Sequence, residues 1–311
     1  IREAFKVPEE DVKDEADRRR NKWVDIFATV VIWAVMIMGV TMNSVMVVSI
    51  NRFLKKYNIN IPDIVLNFLI VLVPFAVNLL DVKNLSRSNI IVTILTSIIL
   101  FSVPAFALKS APHAKDIELN KLNFSSDNMV NLIKAIGITI LPYNGYQSVV
   151  QMSEEVEDTD DVPKGMMISG VLTIAVYCLL SVSVIAILGL SKTSSTTSPV
   201  ADVFKSFMGS QGGDVANIVG ILTGFTTLLL SFYSRSRLLS KISEYEIAPG
   251  IFKNLGVTSG GKYMLAGIPF FSLVVLGIFT WLATIFRADS LEILTDITNV
   301  LTCFIFICVL L

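Results

Sequence analysis

One histidine and three cysteines in 311 residues leave little material for metal or redox chemistry. The histidine, His113, stands in the polar stretch Lys-Ser-Ala-Pro-His-Ala-Lys-Asp, where solvation is the plain expectation, and a single histidine excludes a two-histidine metal motif. Cys178, Cys303 and Cys308 all fall inside apolar runs, as unpaired core cysteines do, so neither a disulfide framework nor a zinc site is expected. Charge is scarce too. Charged residues make up 16% of the chain, against roughly 25% in soluble domains, and a net charge of -1 offers no basic face to a nucleic acid. No serine nucleophile motif accompanies a buried base, and Asp63 and Asp296 lack the surroundings of an aspartyl dyad. No enzyme is indicated and no cofactor is expected.

What the chain does have is apolar length. It is 53% hydrophobic with a mean hydropathy of +0.68, and a bilayer-spanning helix needs about 20 such residues. Eight stretches qualify as candidates: Val24–Ile50, Ile61–Leu80, Asn89–Leu108, Met129–Met152, Met166–Leu190, Ile218–Leu239, Met264–Phe286 and Leu291–Leu311. The expected class is an all-α polytopic membrane protein with about eight transmembrane helices in this chain. Residues 1–23 form a charged segment and 24–311 a transmembrane domain. That segment is too charged for a signal peptide. A start at Ile1 and a stop within an apolar run are read as marks of a fragment of a longer polytopic protein.

Lysine and arginine counts set the expected orientation. The amino-terminal segment carries seven, and the loops Asp81–Ser88, Ser153–Gly165 and Ser234–Lys262 on the same side carry two, one and five. The opposite side holds ten against these fifteen, so the first side is taken as cytoplasmic. Asp63 and Asp296 fall near span ends, within reach of headgroups, and Asp296 with Thr295, Thr298 and Asn299 gives the last span a polar start.

The fourth run breaks its own pattern. Pro142 has no amide hydrogen to donate and Gly145 tolerates unusual backbone angles, so four residues near mid-span can unwind or kink the helix. At membrane depth, unwound backbone is tolerated only beside protein or a water-filled cavity, which is how secondary transporters build binding sites. A proline kink packed against neighbours is the alternative.

The residues around the break carry a resemblance. Tyr143-x-Gly145-Tyr146, then Glu154-Glu155-Val156 and Pro163-Lys164-Gly165, resemble the sixth helix and following loop of the amino acid/polyamine/organocation transporters. The stretch from Ser236 to Pro249 resembles that family's Ser-Arg-Leu … Leu-x-Pro block at the end of its eighth helix, and the stretch from Asn78 resembles its link between helices four and five. The resemblance implies the inverted-repeat, leucine-transporter-like fold, with the eight runs as helices three to ten of twelve. Helices one and two would precede Ile1; eleven and twelve would follow Leu311. Two departures matter. Gln147 replaces the usual acid, and Glu244-Tyr245-Glu246 replaces arginine–acid–glycine, which reverses the first charge, so the sequence does not support an inner-gate ion pair built from those positions.

The implied function is secondary active transport of amino acids by alternating access. The substrate would lie at broken helices beside Tyr143, Asn144, Gly145 and Tyr146, with Thr41, Ser44 and Thr223 bordering the cavity. Thr226 and Thr227 would join an ion site. Serine and threonine in membrane helices also bond their own backbone or a neighbouring helix, and that reading stands beside the first. Sodium or a proton is the coupling ion considered, with exchange open; no lysine lies at mid-depth in the third run, Lys109 being at its end. Partners are the lipid bilayer and a small amino acid or amine, and the plasma membrane is the expected location. Ethanolamine or polyamine transport and a transporter-like nutrient sensor are the alternatives.

Overall fold

A computed structural model describes residues 15–79, 82–114, 126–139, 161–196, 198–245, 247–253, 269–285 and 290–310. The described residues are helical with short connections. In chain order the helices are α1 (Glu15–Lys55), α2 (Asp63–Asn78), α3 (Val82–Lys109), α4 (Ser126–Thr139), α5 (Asp161–Leu188), α6 (Leu190–Ser195), α7 (Pro199–Glu244), a 3-10 turn (Gly250–Lys253), α8 (Phe270–Ile285) and α9 (Ser290–Leu310). Five of them contain stretches long and apolar enough to cross a membrane: Asp17–Lys55, Ile90–Lys109, Asp161–Leu188, Pro199–Glu244 and Leu291–Cys308. α2 and α8 are shorter apolar helices of 16 residues each.

α1 shows why this sequence makes a membrane helix. Glu15 and Asp17 sit in its first turn and Arg52 and Lys55 in its last, each complementing the helix dipole. Between Asp25 and Arg52 no residue is charged, a stretch of roughly 39 Å at 1.5 Å per residue. The helix begins at Glu15 and runs unbroken through Trp23, so no helix boundary separates the charged start from the apolar run. Trp23, 66% exposed, lies where an aromatic ring anchors at the interface.

α7 is longer than its apolar run. It starts at Pro199, nineteen residues before the apolar run at Ile218, and is interrupted at Gly209, whose backbone (φ 70°, ψ -165°) is a conformation only glycine adopts freely. Charges at Asp202, Lys205 and Asp214 mask the pattern, yet Val200, Val203, Phe204 and Phe207 recur at helical spacing just after a proline suited to a first turn.

The chain divides into two compact units, each with its own core. In the unit of residues 46–234, Val103 of α3, Val184 and Ile187 of α5, and Val203, Phe204 and Ala216 of α7 are buried together. Phe106 stacks on Phe207 with ring centres 4.7 Å apart and meets Phe204 edge-on at 5.3 Å. In the unit formed by residues 1–45 and 235–311, Met36 of α1, Leu239 and Ile242 of α7, Ala248 and Leu276 of α8 pack as one cluster. Elsewhere large apolar side chains face outward. Ile90, Ile91, Ile94, Ile98 and Phe101 make one such face along α3. A face of that kind suits hydrocarbon and not water.

Candidate functional site

In the unit of residues 1–45 and 235–311, α1 carries a band of buried polar side chains within its charge-free stretch. The Thr41 hydroxyl donates to the Met38 carbonyl (3.0 Å) and accepts from Thr298 of α9 at 2.8 Å. The Thr298 proton is shared with the Leu294 carbonyl at 2.7 Å. One turn on, the Thr302 hydroxyl reaches the Thr298 carbonyl (2.7 Å) and the Met38 sulfur (3.3 Å). Ser44, fully buried, donates between the Val40 carbonyl at 2.8 Å and the Thr280 carbonyl of α8 at 3.0 Å. The hydroxyl of Thr280 and the side-chain carbonyl of Asn299 are buried without a protein hydrogen-bond partner. Hydroxyls thus link α1 to both α8 and α9 in a region where any unmade hydrogen bond is costly.

The same stretch of α1 accommodates a charge. Arg235 of α7 is 3% exposed, and its guanidinium lies over Gly39, with Nη2 3.7 Å from the Met42 sulfur. A β-carbon at Gly39 would stand 1.8 Å from Nη1, 2.6 Å from Cζ and 2.7 Å from Cδ of that arginine. Charge counting along the sequence assigns Arg235 to a cytoplasmic loop; it is instead an interior residue of α7, which continues to Glu244. The count on that side falls from fifteen to fourteen and still exceeds ten. Glu244 itself pairs with Lys241 at 3.5 Å on the surface.

In the unit of residues 46–234, the three threonines of α7 form a local ladder. Thr226 and Thr227 both donate to the Thr223 carbonyl, at 2.9 and 2.8 Å. The Thr223 hydroxyl lies 2.8 Å from the Val219 carbonyl and 2.6 Å from the Thr96 hydroxyl of α3. Asp63, at the start of α2, pairs with Lys55 and accepts from Asn51 at 3.2 Å, while Asn51 also donates to Asn67 at 2.6 Å; α1 and α2 are clamped by these groups. Outside the helices, burial and then the charge of Asp214 push the Tyr57 hydroxyl above its ordinary pKa. His113 is exposed, and its backbone amide donates to the Ala186 carbonyl at 2.9 Å. Among the described residues no group of histidine, cysteine or acids is arranged to hold a metal.

The helix break at Pro142 and the residues Tyr143, Asn144, Gly145 and Tyr146 lie outside the described residues, as does Gln147. The structure therefore brings together Thr41 with Thr298 and Ser44 with Thr280, and separately Thr223 with Thr96. Arg235 and Gly39 are the pair that sequence reading missed. The available signal was a charged residue immediately before the Ser-Arg-Leu block, inside the apolar run Ile218–Leu239.

Comparison with known proteins adds kinship. The amino acid permease family matches residues 20–311. Cationic amino acid transporter 6, chloroplastic, of Arabidopsis thaliana is 29% identical over 171 residues, covering 53% of this chain and 27% of the relative. Cationic amino acid transporter 1 of the same plant is 27% identical over 229 residues, covering 72% of this chain and 35% of the relative. Cationic amino acid transporter 7, chloroplastic, is 26% identical over 192 residues, 60% of this chain and 31% of the relative. The chain spans about a third of the length of the curated relatives it matches.

Proposed function

The chain belongs to the amino acid permease family, within the amino acid/polyamine/organocation transporters, and on that premise we propose that it moves amino acids across its membrane by alternating access. It is an integral, multi-pass membrane protein. The observation that carries the proposal is the family match, which takes in every apolar helix from α1 to α9.

The substrate site in this reading is the break at Pro142–Tyr146 facing a broken first helix, in a leucine-transporter-like inverted repeat. Unwound carbonyls suit an ammonium group, and the amide end of a half-helix suits a carboxylate. Both charges of a zwitterion are then met by backbone dipoles at the midplane. The buried hydroxyl band of Thr41, Ser44 and Thr298 gives the unit of residues 1–45 and 235–311 a polar interior of the kind a substrate pathway needs. Sodium is the coupling ion of this reading. The protons of Thr226 and Thr227 are committed to the Thr223 carbonyl, which leaves their oxygen lone pairs as acceptors for a hard cation.

The test is flux into liposomes reconstituted with the protein. We expect saturable uptake of a radiolabelled amino acid mixture, competed by unlabelled amino acids and increased by an inward sodium gradient. Uptake of ethanolamine or a polyamine in place of amino acids would overturn the substrate class. Tight binding with no flux would make the protein a sensor, and flux indifferent to sodium would remove the ion assignment alone.

A further inference from the structure

The amino-terminal end of α1 carries four cations in five residues, Arg18, Arg19, Arg20 and Lys22, and all four are exposed. Among the described residues the one ion pair in this cluster joins Arg19 to Glu15, 3.5 Å apart on the surface. The arrangement works against the helix itself. Cations near a helix start oppose its dipole, and Arg18 and Lys22, four residues apart, are neighbours of like charge. At and just past the other end of α1 the cations are engaged. Lys55 pairs with Asp63, and the Lys56 ammonium donates to the Ser198 hydroxyl at 2.6 Å. The cluster also has a definite place. Trp23, Ile26, Phe27, Val30, Trp33 and Ile37 recur every three to four residues and are all exposed, which marks the lipid-facing side of α1. Arg19 stands one turn before Trp23 on that side, and Lys22 one turn before Ile26. Arg20 and Lys22 precede Trp23 by about 4.5 and 1.5 Å of axial rise, which is headgroup depth where an aromatic ring anchors at the interface.

We propose that Arg18, Arg19, Arg20 and Lys22 form a docking surface for the headgroups of anionic glycerophospholipids. The surface continues the lipid-facing stripe of α1, so the anion that meets it stands in the bilayer and not in solution. The chain's own acids Glu9, Glu10 and Asp11 are the competing occupant. The stripe decides against them, because it holds Arg20 and Lys22 at the depth where headgroups lie. One cation at an anionic membrane surface strengthens association about fivefold. A neutral zwitterionic headgroup offers no such gain. The inference stands whether or not the protein transports amino acids.

The experiment is quenching of tryptophan fluorescence by brominated lipids in bilayers holding the full chain. Trp33→Phe and Trp281→Phe leave Trp23 as the remaining tryptophan. Exchange at Trp23 is expected to favour brominated phosphatidylglycerol over brominated phosphatidylcholine about fivefold or more. The preference should fall towards one when Arg18→Gln, Arg20→Gln and Lys22→Gln are combined, and also in about 1 M salt, where screening is short-ranged. These are exposed positions, and the melting temperature of the variant checks that it is folded. Equal quenching by the two lipids before any basic residue is changed overturns the proposal, with no variant needed. So does a preference that the folded triple variant keeps. A preference that appears only after Glu9→Gln, Glu10→Gln and Asp11→Asn gives the patch to the chain's own acids. One abolished by millimolar inorganic phosphate gives it to a soluble anion. Either result overturns the lipid assignment.

Discussion

A hydrogen atom in place of a methyl group at Gly39 is what allows Arg235 to lie across α1. A β-carbon there would come within 1.8 Å of the guanidinium nitrogen, closer than any non-bonded approach, so one side must move. We expect Gly39→Ala to lower stability by about 1–3 kcal/mol, the usual cost of overpacking. The check is thermal unfolding of the purified protein. Combining it with Arg235→Gln, which shortens the clashing side chain, should cost clearly less than the sum of the two single changes, because the residues share one contact. Additive losses would place the strain elsewhere. The hydroxyls nearby act differently. Thr41, Thr298 and Thr302 each have a carbonyl of their own helix within 3.0 Å, so each satisfies itself before it reaches a neighbour.

At the scale of elements, α7 is the informative helix. Its 46 residues are two helices joined at Gly209. A β-carbon on Gly209 would meet nothing within 4 Å, so a substitution there creates no clash and any penalty comes from the backbone alone. With φ at 70° and ψ at -165°, Gly209→Ala should cost about 1–3 kcal/mol, measured as a fall in the unfolding midpoint. An unchanged midpoint would mean that the kink does not need the left-handed residue. The helix ahead of the kink is held from outside by α3 and α5, through Phe204, Phe207 and their contacts with Phe106. Those aromatic contacts explain how a segment with Asp202 and Lys205 in it remains helical.

For the whole molecule the governing fact is the solvent. In water, the exposed isoleucines of α3 would be an aggregation surface; in a bilayer they are simply in contact with lipid. Ile98, 61% exposed, tests this directly. Ile98→Lys should disfavour membrane insertion by roughly 2.5–3.5 kcal/mol, the translocon cost of a lysine near a helix centre. The measurement is the fraction of protein that is membrane-integrated and resistant to carbonate extraction. A water-facing residue would accept the same change with no loss, so full integration of the variant would contradict a lipid-facing α3.

The sequence by itself determined the class of solvent, the family and, where the structure describes them, the approximate positions of the apolar helices, because each depends on local quantities. Apolar length, flanking charge and short motifs such as the one from Tyr143 to Tyr146 can all be read within a few turns of chain. It also ranked Thr41, Ser44 and the α7 threonines as polar residues of interest, but not their bonds. Two features were decided only by the tertiary structure. The first ten residues of α7 are helical because α3 and α5 supply an apolar surface that their own charged pattern conceals. Arg235, which the apolar run Ile218–Leu239 takes in at its end and charge counting put in a loop, lies in the interior because α1 offers it a glycine 196 positions earlier in the chain. Thr298 finds its bond to Thr41 across 257 residues in the same way. Burial of a polar group depends on which partner faces it, and only the packed helices bring such distant partners together.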